Sequence, residues 1–264
     1  MSIINQKLNY KMKIKDLEFI LKKIIPEKYL LKKRLKRAIE KNYEKELELI
    51  NQFADKSKDA LDIGVYRGVY SYKLSQNYNL VHSFEPNPLL YPYLKRNLKK
   101  IINNIKLYNL ALSDKNGETR LKLPIRNNSI FSNNIEELYQ LGAASIHPKN
   151  KFEKFKEVVV RMKKLDDLKI ENKIGFIKID VEGHELEVIK GSSKIISENM
   201  PVLLVEIEKR HTKKPVIESI NYIKNMGYDC FFVKNKKLIS VEKLENNDSE
   251  NNYYFLPKKI KLDL

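Results

Sequence analysis

Residues 174–181 read Ile-Gly-Phe-Ile-Lys-Ile-Asp-Val, a near-continuous apolar run that ends in acid, and the chain continues Glu182-Gly183-His184-Glu185. A segment apolar on both of its alternating faces has no solvent side. It therefore predicts a strand covered on both faces, inside a parallel sheet with helices above and below. One lysine, Lys178, interrupts the run, and two acids, Asp180 and Glu182, alternate out of its end. Charges at the end of a buried strand are costly unless they are paired, hydrogen-bonded or turned toward a site. This strand end is the first place to look for function.

The remaining pattern agrees with such a sheet. Ala60-Leu-Asp-Ile63 predicts a short strand that turns at Gly64, and residues 67–76 predict a helix. Leu80 to Glu85 is the next strand; Pro86 and Pro88 stop it and start a helix over 88–101. Strands follow at 105–110, 118–123, 158–162, 202–206, 228–233, 238–241 and 253–256, with helices at 185–198 and at 217–226, the latter capped by Gly227. Leu165-Asp-Asp-Leu168 is a connection, and 242–252 a polar loop. The fold class is α/β and Rossmann-like: a mostly parallel sheet with helices on both faces. Ahead of it, Ile14, Leu17, Leu21, Ile24 and Ile25 keep helical spacing until Pro26, and a second helix is expected from Glu27 to Phe53. The chain thus divides into a basic helical extension, 1–55, and a main domain, 56–264, with an irregular Asn-rich insertion at 124–157 of the kind that forms lids.

Composition excludes several classes. One cysteine, Cys230, rules out an intrachain disulfide and a cysteine-based zinc site. No run of about 18 apolar residues is present, so no transmembrane helix is expected, and the N-terminus has neither the apolar core nor the cleavage site of a signal peptide. The expected location is cytoplasmic, with contact to a membrane surface through residues 1–53 as an extension of that reading. The net charge of +17 is concentrated: residues 1–40 hold twelve Lys/Arg against four Asp/Glu. A solvated basic helical face explains this, and attraction to an anionic surface or substrate is the alternative. Nucleic acid is a disfavoured partner, because the run from Lys32 to Arg37 has no interleaved stacking aromatics. The extension could also mediate homo-oligomer assembly.

In open parallel sheets ligands lie at the carboxyl ends of the strands, which selects Asp62 to Gly68, Glu85, Ser113-Asp114, Asp180 to Glu185, and Glu206. Gly64 and Gly68 allow a tight turn and close backbone approach. Asp62 places a negative charge there, which disfavours a pyrophosphate and favours an amino group. Glu85 stands 21 residues after Gly64, the spacing at which an acid reaches ribose hydroxyls in nucleoside-binding α/β folds. Turn and acid together point to an adenosine-containing ligand.

Asp62-Ile-Gly64, Ser83-Phe-Glu-Pro-Asn-Pro88, Asn109-Leu-Ala-Leu-Ser-Asp114, Leu165-Asp-Asp-Leu168 and Ile177-Lys-Ile-Asp-Val-Glu-Gly-His-Glu-Leu-Glu187, with Lys190-Gly191 and a closing Asn252-Tyr-Tyr-Phe-Leu-Pro257, resemble the FkbM-type methyltransferases over about 59–257. That resemblance implies a class I methyltransferase fold, S-adenosyl-L-methionine as cofactor, and an O-methyltransferase that acts on a hydroxyl of a sugar, glycan or glycan precursor. It further implies that Asp62, Gly64 and Gly68 line the methionine end and that Glu85 binds the ribose. Pro86 and Asn87 would flank the adenosine, and Leu112, Ser113 and Asp114 would lie near the adenine. Asp180 and Glu182 would sit at the methyl-transfer end. The chain departs from the family where Val65-Tyr66 follows the first glycine, which makes Tyr66 a residue at the cofactor entrance or toward the acceptor.

A hydroxyl acceptor must lose a proton. Asp180 and Glu182 are the favoured bases, with His211 as runner-up and His184 a further candidate. Tyr139, Ser145 and His147, in the irregular segment, and His184 are candidate acceptor contacts. A divalent cation at the acids is an open alternative without an assigned ligand set. The competing functions are a nucleic-acid or other small-molecule methyltransferase, and a non-catalytic cofactor-binding or assembly module.

Overall fold

The computed structural model describes residues 25–41, 44–124, 144–147, 154–208, 216–243 and 250–259. The expected helix over 3–25, except its last residue, lies outside them, as do Tyr139 and His211 and most of the 124–157 insertion.

Eight strands form the central sheet: β1 (Asp59–Ile63), β2 (Val81–Phe84), β3 (Ile105–Tyr108), β7 (Ile174–Ile179), β8 (Val202–Glu206), β9 (Tyr228–Lys234), β10 (Lys237–Ser240) and β11 (Asn252–Pro257). Their order is β10-β9-β11-β8-β7-β1-β2-β3. From β3 to β8 all pairings are parallel, whereas β11 runs antiparallel to both β8 and β9. The predicted α/β Rossmann-like class is thus the observed one. A second sheet, order β4-β6-β5, is built from β4 (Ala111–Leu112), β5 (Gly117–Pro124) and β6 (Phe155–Lys163). The strand expected over 105–110 therefore ends at Tyr108, and the chain leaves the central sheet to pair Ala111 with Met162.

Residue alternation sorts the core into two faces. Ile177, Ile179, Leu203, Val205 and Phe255 pack with α4 (Glu185–Lys190), α5 (Ser193–Asn199) and α6 (Val216–Lys224) on one face. Phe176, Val202, Leu204 and Tyr254 pack on the other with α2 (Val69–Asn77) and a 3-10 helix, Lys45–Phe53. Leu31 and Leu35 of α1 (Glu27–Glu40) pack with Tyr93 and Leu94 of α3 (Tyr91–Leu98), so α1 covers this side of the main domain.

Two expected helices are each divided. The Glu27–Phe53 helix is α1 followed by the 3-10 helix. The apolar positions keep helical spacing across the junction, so spacing alone could not report it. The 185–198 helix breaks at Gly191, which abuts the Ser113 carbonyl so closely that a Cβ would lie 1.9 Å from that oxygen. The Asp166 carboxylate accepts from the N–H groups of Lys194 and Ile195 at 3.0 Å each. The Leu165–Asp167 turn thereby caps the new helix start.

Glu46 is a buried acid away from the strand ends, 2% exposed. Burial, opposed by its own backbone N–H and by Lys45, pushes its pKa up to about 7. A raised carboxyl destabilises only where the unfolded chain is ionised. Its cost is absent below pH 4.5 and grows as pH rises through 7. Glu46→Gln is expected to stabilise the fold by on the order of 1–3 kcal/mol at pH 8 and to leave it nearly unchanged at pH 4, as thermal unfolding at the two pH values would measure.

Candidate active site

The carboxyl ends of β1, β2, β7 and β8 surround one cavity of about 410 Å³, within the size range of small-molecule sites. One end is apolar, with Phe84, Leu90, Leu110, Leu112 and Leu121 in its wall. The other end carries Asp180, Glu182 and Glu206. Glu85 lies on the wall with Pro86, Gly64 and Tyr66.

Gly64 is required by close packing. It adopts φ +89°, and a Cβ there would stand 1.8 Å from the Asp180 carbonyl oxygen. The β1–β7 ladder continues to this point, where the Asp180 N–H donates to the Ile63 carbonyl at 3.0 Å. The turns that follow β1 and β7 are thereby held against each other. Tyr66 follows with φ +48°, a left-handed conformation that disfavours an aromatic residue. Its N–H donates to Glu85 Oε2 at 3.0 Å, and the Asn87 N–H donates to Oε1 at 2.9 Å. Burial raises the Glu85 pKa to about 7 against these two bonds. Each carboxylate oxygen keeps a further lone pair for hydroxyl donors.

Lys178 is 3% exposed, and its Nζ lies 2.9 Å from Asp180 Oδ2 and 3.3 Å from the Gly64 carbonyl, over the Tyr70 ring at 4.8 Å. Burial alone would lower the lysine pKa, but Asp180 and Asp62 outweigh it and the net shift is upward. Asp62 is fully buried beneath the turn, and Ser71 Oγ donates to its Oδ2 at 2.5 Å. Burial pushes Asp62 up to about 6, with Lys178 the main opposing influence. Glu206 is pushed up to about 10, by burial first and then by the neighbouring Asp180 charge and a hydrogen bond to it. That direction favours the protonated form of Glu206, and Asp180 has the Lys178 ammonium as its counter-charge.

Of the residues singled out from sequence, Gly64, Tyr66, Glu85, Pro86, Asp180 and Glu182 line the cavity. Others do not. Asp62, Gly68 and Asn87 lie behind the wall; Gly68 adopts φ +78° and abuts Leu98. Ser113 is fully buried with Oγ 2.8 Å from His184 Nε2, a bond that ties the end of β4 to the start of α4, and Asp114 is exposed. Ser145 Oγ donates to the Glu182 carbonyl at 2.7 Å and accepts from the His147 N–H at 3.0 Å, while its neighbours Ala144 and Ile146 reach the cavity. Glu185, buried, accepts from the N–H groups of Val181 and Gly183 and so shapes the acidic turn, where Glu182 adopts φ +56°.

Glu206 and Asn252 reach the cavity although neither was given a role from sequence. Glu206 was marked as a strand end. Asn252 is its register partner, brought there because β11 runs antiparallel to β8, a direction no local pattern reveals. Among the described residues no group of His, Cys, Asp and Glu is arranged to hold a metal ion.

The strand order, the glycine-bounded turn and the acid ends of β2 and β7 define a Rossmann-like fold of the class I methyltransferase type. The chain belongs to the FkbM methyltransferase family, a family of S-adenosylmethionine-dependent enzymes: the model of the methyltransferase FkbM domain matches residues 62–230. It is 27% identical over 191 residues to the methyltransferase sdnD of Sordaria araneosa, across 64% of this chain and 73% of that protein. Among solved structures, the methyltransferase FkbM of Methylobacillus flagellatus KT is similar at 17% identity and a TM-score of 0.47, over 76% of this chain and 44% of that one. This chain thus spans less than half of that protein's length. A TehB-like SAM-dependent methyltransferase from Corynebacterium glutamicum aligns at 10% identity and a TM-score of 0.40, over 88% of this chain and 98% of that one.

Lys178→Met is expected to destabilise the fold by about 3–5 kcal/mol, since it leaves buried acids without a counter-charge. Adding Asp62→Asn should restore part of that loss. Urea unfolding at pH 7 measures both; a Lys178→Met loss within experimental error would mean that the ammonium is not what holds the acids.

Proposed function

We propose that this chain transfers a methyl group from S-adenosylmethionine to a hydroxyl of a sugar, glycan or glycan precursor. The observation that carries the reading is Asp180, a cavity-lining carboxylate fixed by Lys178 at the end of β7 and hydrogen-bonded to Glu206. The cavity's residues fit the cofactor in chemistry. An apolar end suits a purine, Glu85 offers acceptor oxygens to ribose hydroxyls, and the acidic end suits a cation.

S-adenosylmethionine supplies, when bound, an electrophilic methyl on a sulfonium that is open to in-line attack. The chain's own residues then have separable tasks. Glu85 accepts hydroxyl hydrogen bonds while its other lone pairs hold the Tyr66 and Asn87 N–H groups. The apolar wall excludes water. Asp180 takes the acceptor's proton at its carboxylate, and Lys178 and Glu206 fix that carboxylate by one ion pair and one hydrogen bond. Fixing the reacting atoms contributes roughly 7–11 kcal/mol in well-oriented reactions, and a positioned base about 10²–10⁴-fold in rate. Glu182, on the same wall, is the second candidate base.

Transfer of labelled methyl onto a panel of sugar nucleotides and glycolipid precursors, with and without EDTA, tests the acceptor class and the need for a divalent cation together. Two variants separate binding from chemistry. Glu85→Ala should abolish S-adenosylhomocysteine binding by calorimetry. Asp180→Asn should bind it normally and lose turnover by about 10²–10⁴-fold; full activity in that variant would remove Asp180 from the mechanism. Because Glu85 titrates near 7 and accepts hydroxyls best when ionised, affinity in the unaltered chain should strengthen from pH 6 to pH 8, and Glu85→Gln should flatten that dependence.

A further inference from the structure

A second cavity, of about 350 Å³, lies between α1 and the β1–α2 turn. It shares Gly64, Tyr66, Glu44 and Asp180 with the first, so the two are neighbours across the Tyr66 turn and the Asp180 carboxylate borders both. Their chemistry differs. Leu31, Leu35, Ala38 and Leu47 give the second cavity an aliphatic wall, Arg34 and Arg37 of α1 line it beside them, and Arg67, Lys178, Glu44 and Asp180 complete the lining. Arg34 is held by Glu27 at 2.8 Å, and Arg37 is exposed at the last turn of α1. Lysines 32, 33, 36 and 41 continue this positive surface outward.

We infer that this second cavity is the acceptor site, and that its occupant is an anionic amphiphile: a hydroxyl-bearing molecule whose apolar segment lies against the α1 leucines and whose anionic group meets Arg37 and Arg34. The inference rests on the methyl-transfer reading and specifies its substrate class. A bare sugar would set hydroxyls against the aliphatic wall of Leu31, Leu35, Ala38 and Leu47, a desolvation penalty. An apolar segment removes that penalty, and an anion beside arginine gains a charge-assisted hydrogen bond. The arrangement also orders the reaction in space. Donor and acceptor occupy separate chambers, and Asp180, the carboxylate proposed to take the hydroxyl proton, stands on the border between them with Glu44.

The test uses the full chain with octyl phosphate as probe, below its micelle concentration, and octyl glucoside as the uncharged counterpart. Binding is measured by calorimetry with S-adenosylhomocysteine present. Octyl phosphate is expected to bind at least roughly tenfold more tightly than octyl glucoside. Arg37→Glu should weaken octyl phosphate roughly tenfold and leave octyl glucoside unaffected. Ala38→Phe, which fills the chamber without removing a core leucine, should weaken both probes. S-adenosylhomocysteine affinity should be unchanged in either variant. Absence of octyl phosphate binding overturns the inference. So does binding that Ala38→Phe leaves intact, which would mark attraction to the net positive charge alone. A fall in S-adenosylhomocysteine affinity in Arg37→Glu assigns the chamber to the donor and overturns it as well. Failure of the unaltered chain to bind S-adenosylhomocysteine would instead refute the methyl-transfer reading itself, so the two failures are distinguishable.

Discussion

A single ammonium sits at the junction of everything that gives this cavity its chemistry. Lys178 interrupts a buried interior strand of the sheet, on the face that otherwise carries Phe176, and reaches the Gly64 carbonyl, Asp180 and the field of Asp62 at once. Taking a charge of this kind out of water costs several kcal/mol even after relaxation. Only paired acids return it, and here they do so strongly enough that the lysine is raised despite burial. The dependence is mutual. Without the ammonium, Asp62 and Asp180 would be two like charges with no cation between them, and one of the two would be driven toward its protonated form. The lysine therefore sets the protonation state of the site as well as holding its shape.

The same arrangement explains why Gly64 and Tyr66 take the conformations they do. Gly64 must bring β1 to within contact of the Asp180 backbone, which excludes any side chain. The chain then needs an immediate change of direction, and Tyr66 makes it with a positive φ at a cost of about 1–2 kcal/mol. Glu85 offsets that cost by accepting the Tyr66 N–H. An acid expected from its spacing to serve a ribose thus has a second, structural task. The β1 turn and the β2 end are coupled through one carboxylate, and the Tyr66 ring is carried to the wall between two chambers.

Much of this was legible in the residues. The unbroken apolar run of β7 announces an interior strand, and the lysine within it announces a buried charge that must find acids. Alternating strands and helices fix the carboxyl ends as the place to look, and Asp180, Glu182, Glu85 and Gly64 do meet there. What stayed hidden depends on relations between distant segments. The antiparallel entry of β11 brings Asn252 to Glu206, but a strand pattern reads the same in either direction. The second sheet takes the chain away after Tyr108, since Ala111 and Leu112 pair with β6 rather than continuing beside β2. His184 stood out as a polar residue at a helix start, yet its partner is Ser113, seventy-one residues away. His184 is half-buried there, and no local pattern announces the bond to Ser113.

Protonation is the least local property of all. Glu85, Glu185 and Glu206 are acids of the same intrinsic character, and sequence offers no reason to rank them. The structure places Glu85 and Glu185 against backbone N–H groups, which favour the charged form, and burial still holds both near 7. Glu206 instead faces the Asp180 carboxylate, so a like charge is added to the burial penalty and its pKa is pushed up to about 10. The acidic wall of the cavity carries Asp180, Glu182 and Glu206, and the Lys178 ammonium is paired to the first of them. Asp180 is the member of that wall paired to the lysine, so its carboxylate is held in a fixed direction. A base in that position keeps its negative charge through the neighbouring cation and keeps its orientation through the neighbouring acid. In the proposed reaction, those are the two properties that removal of a hydroxyl proton requires.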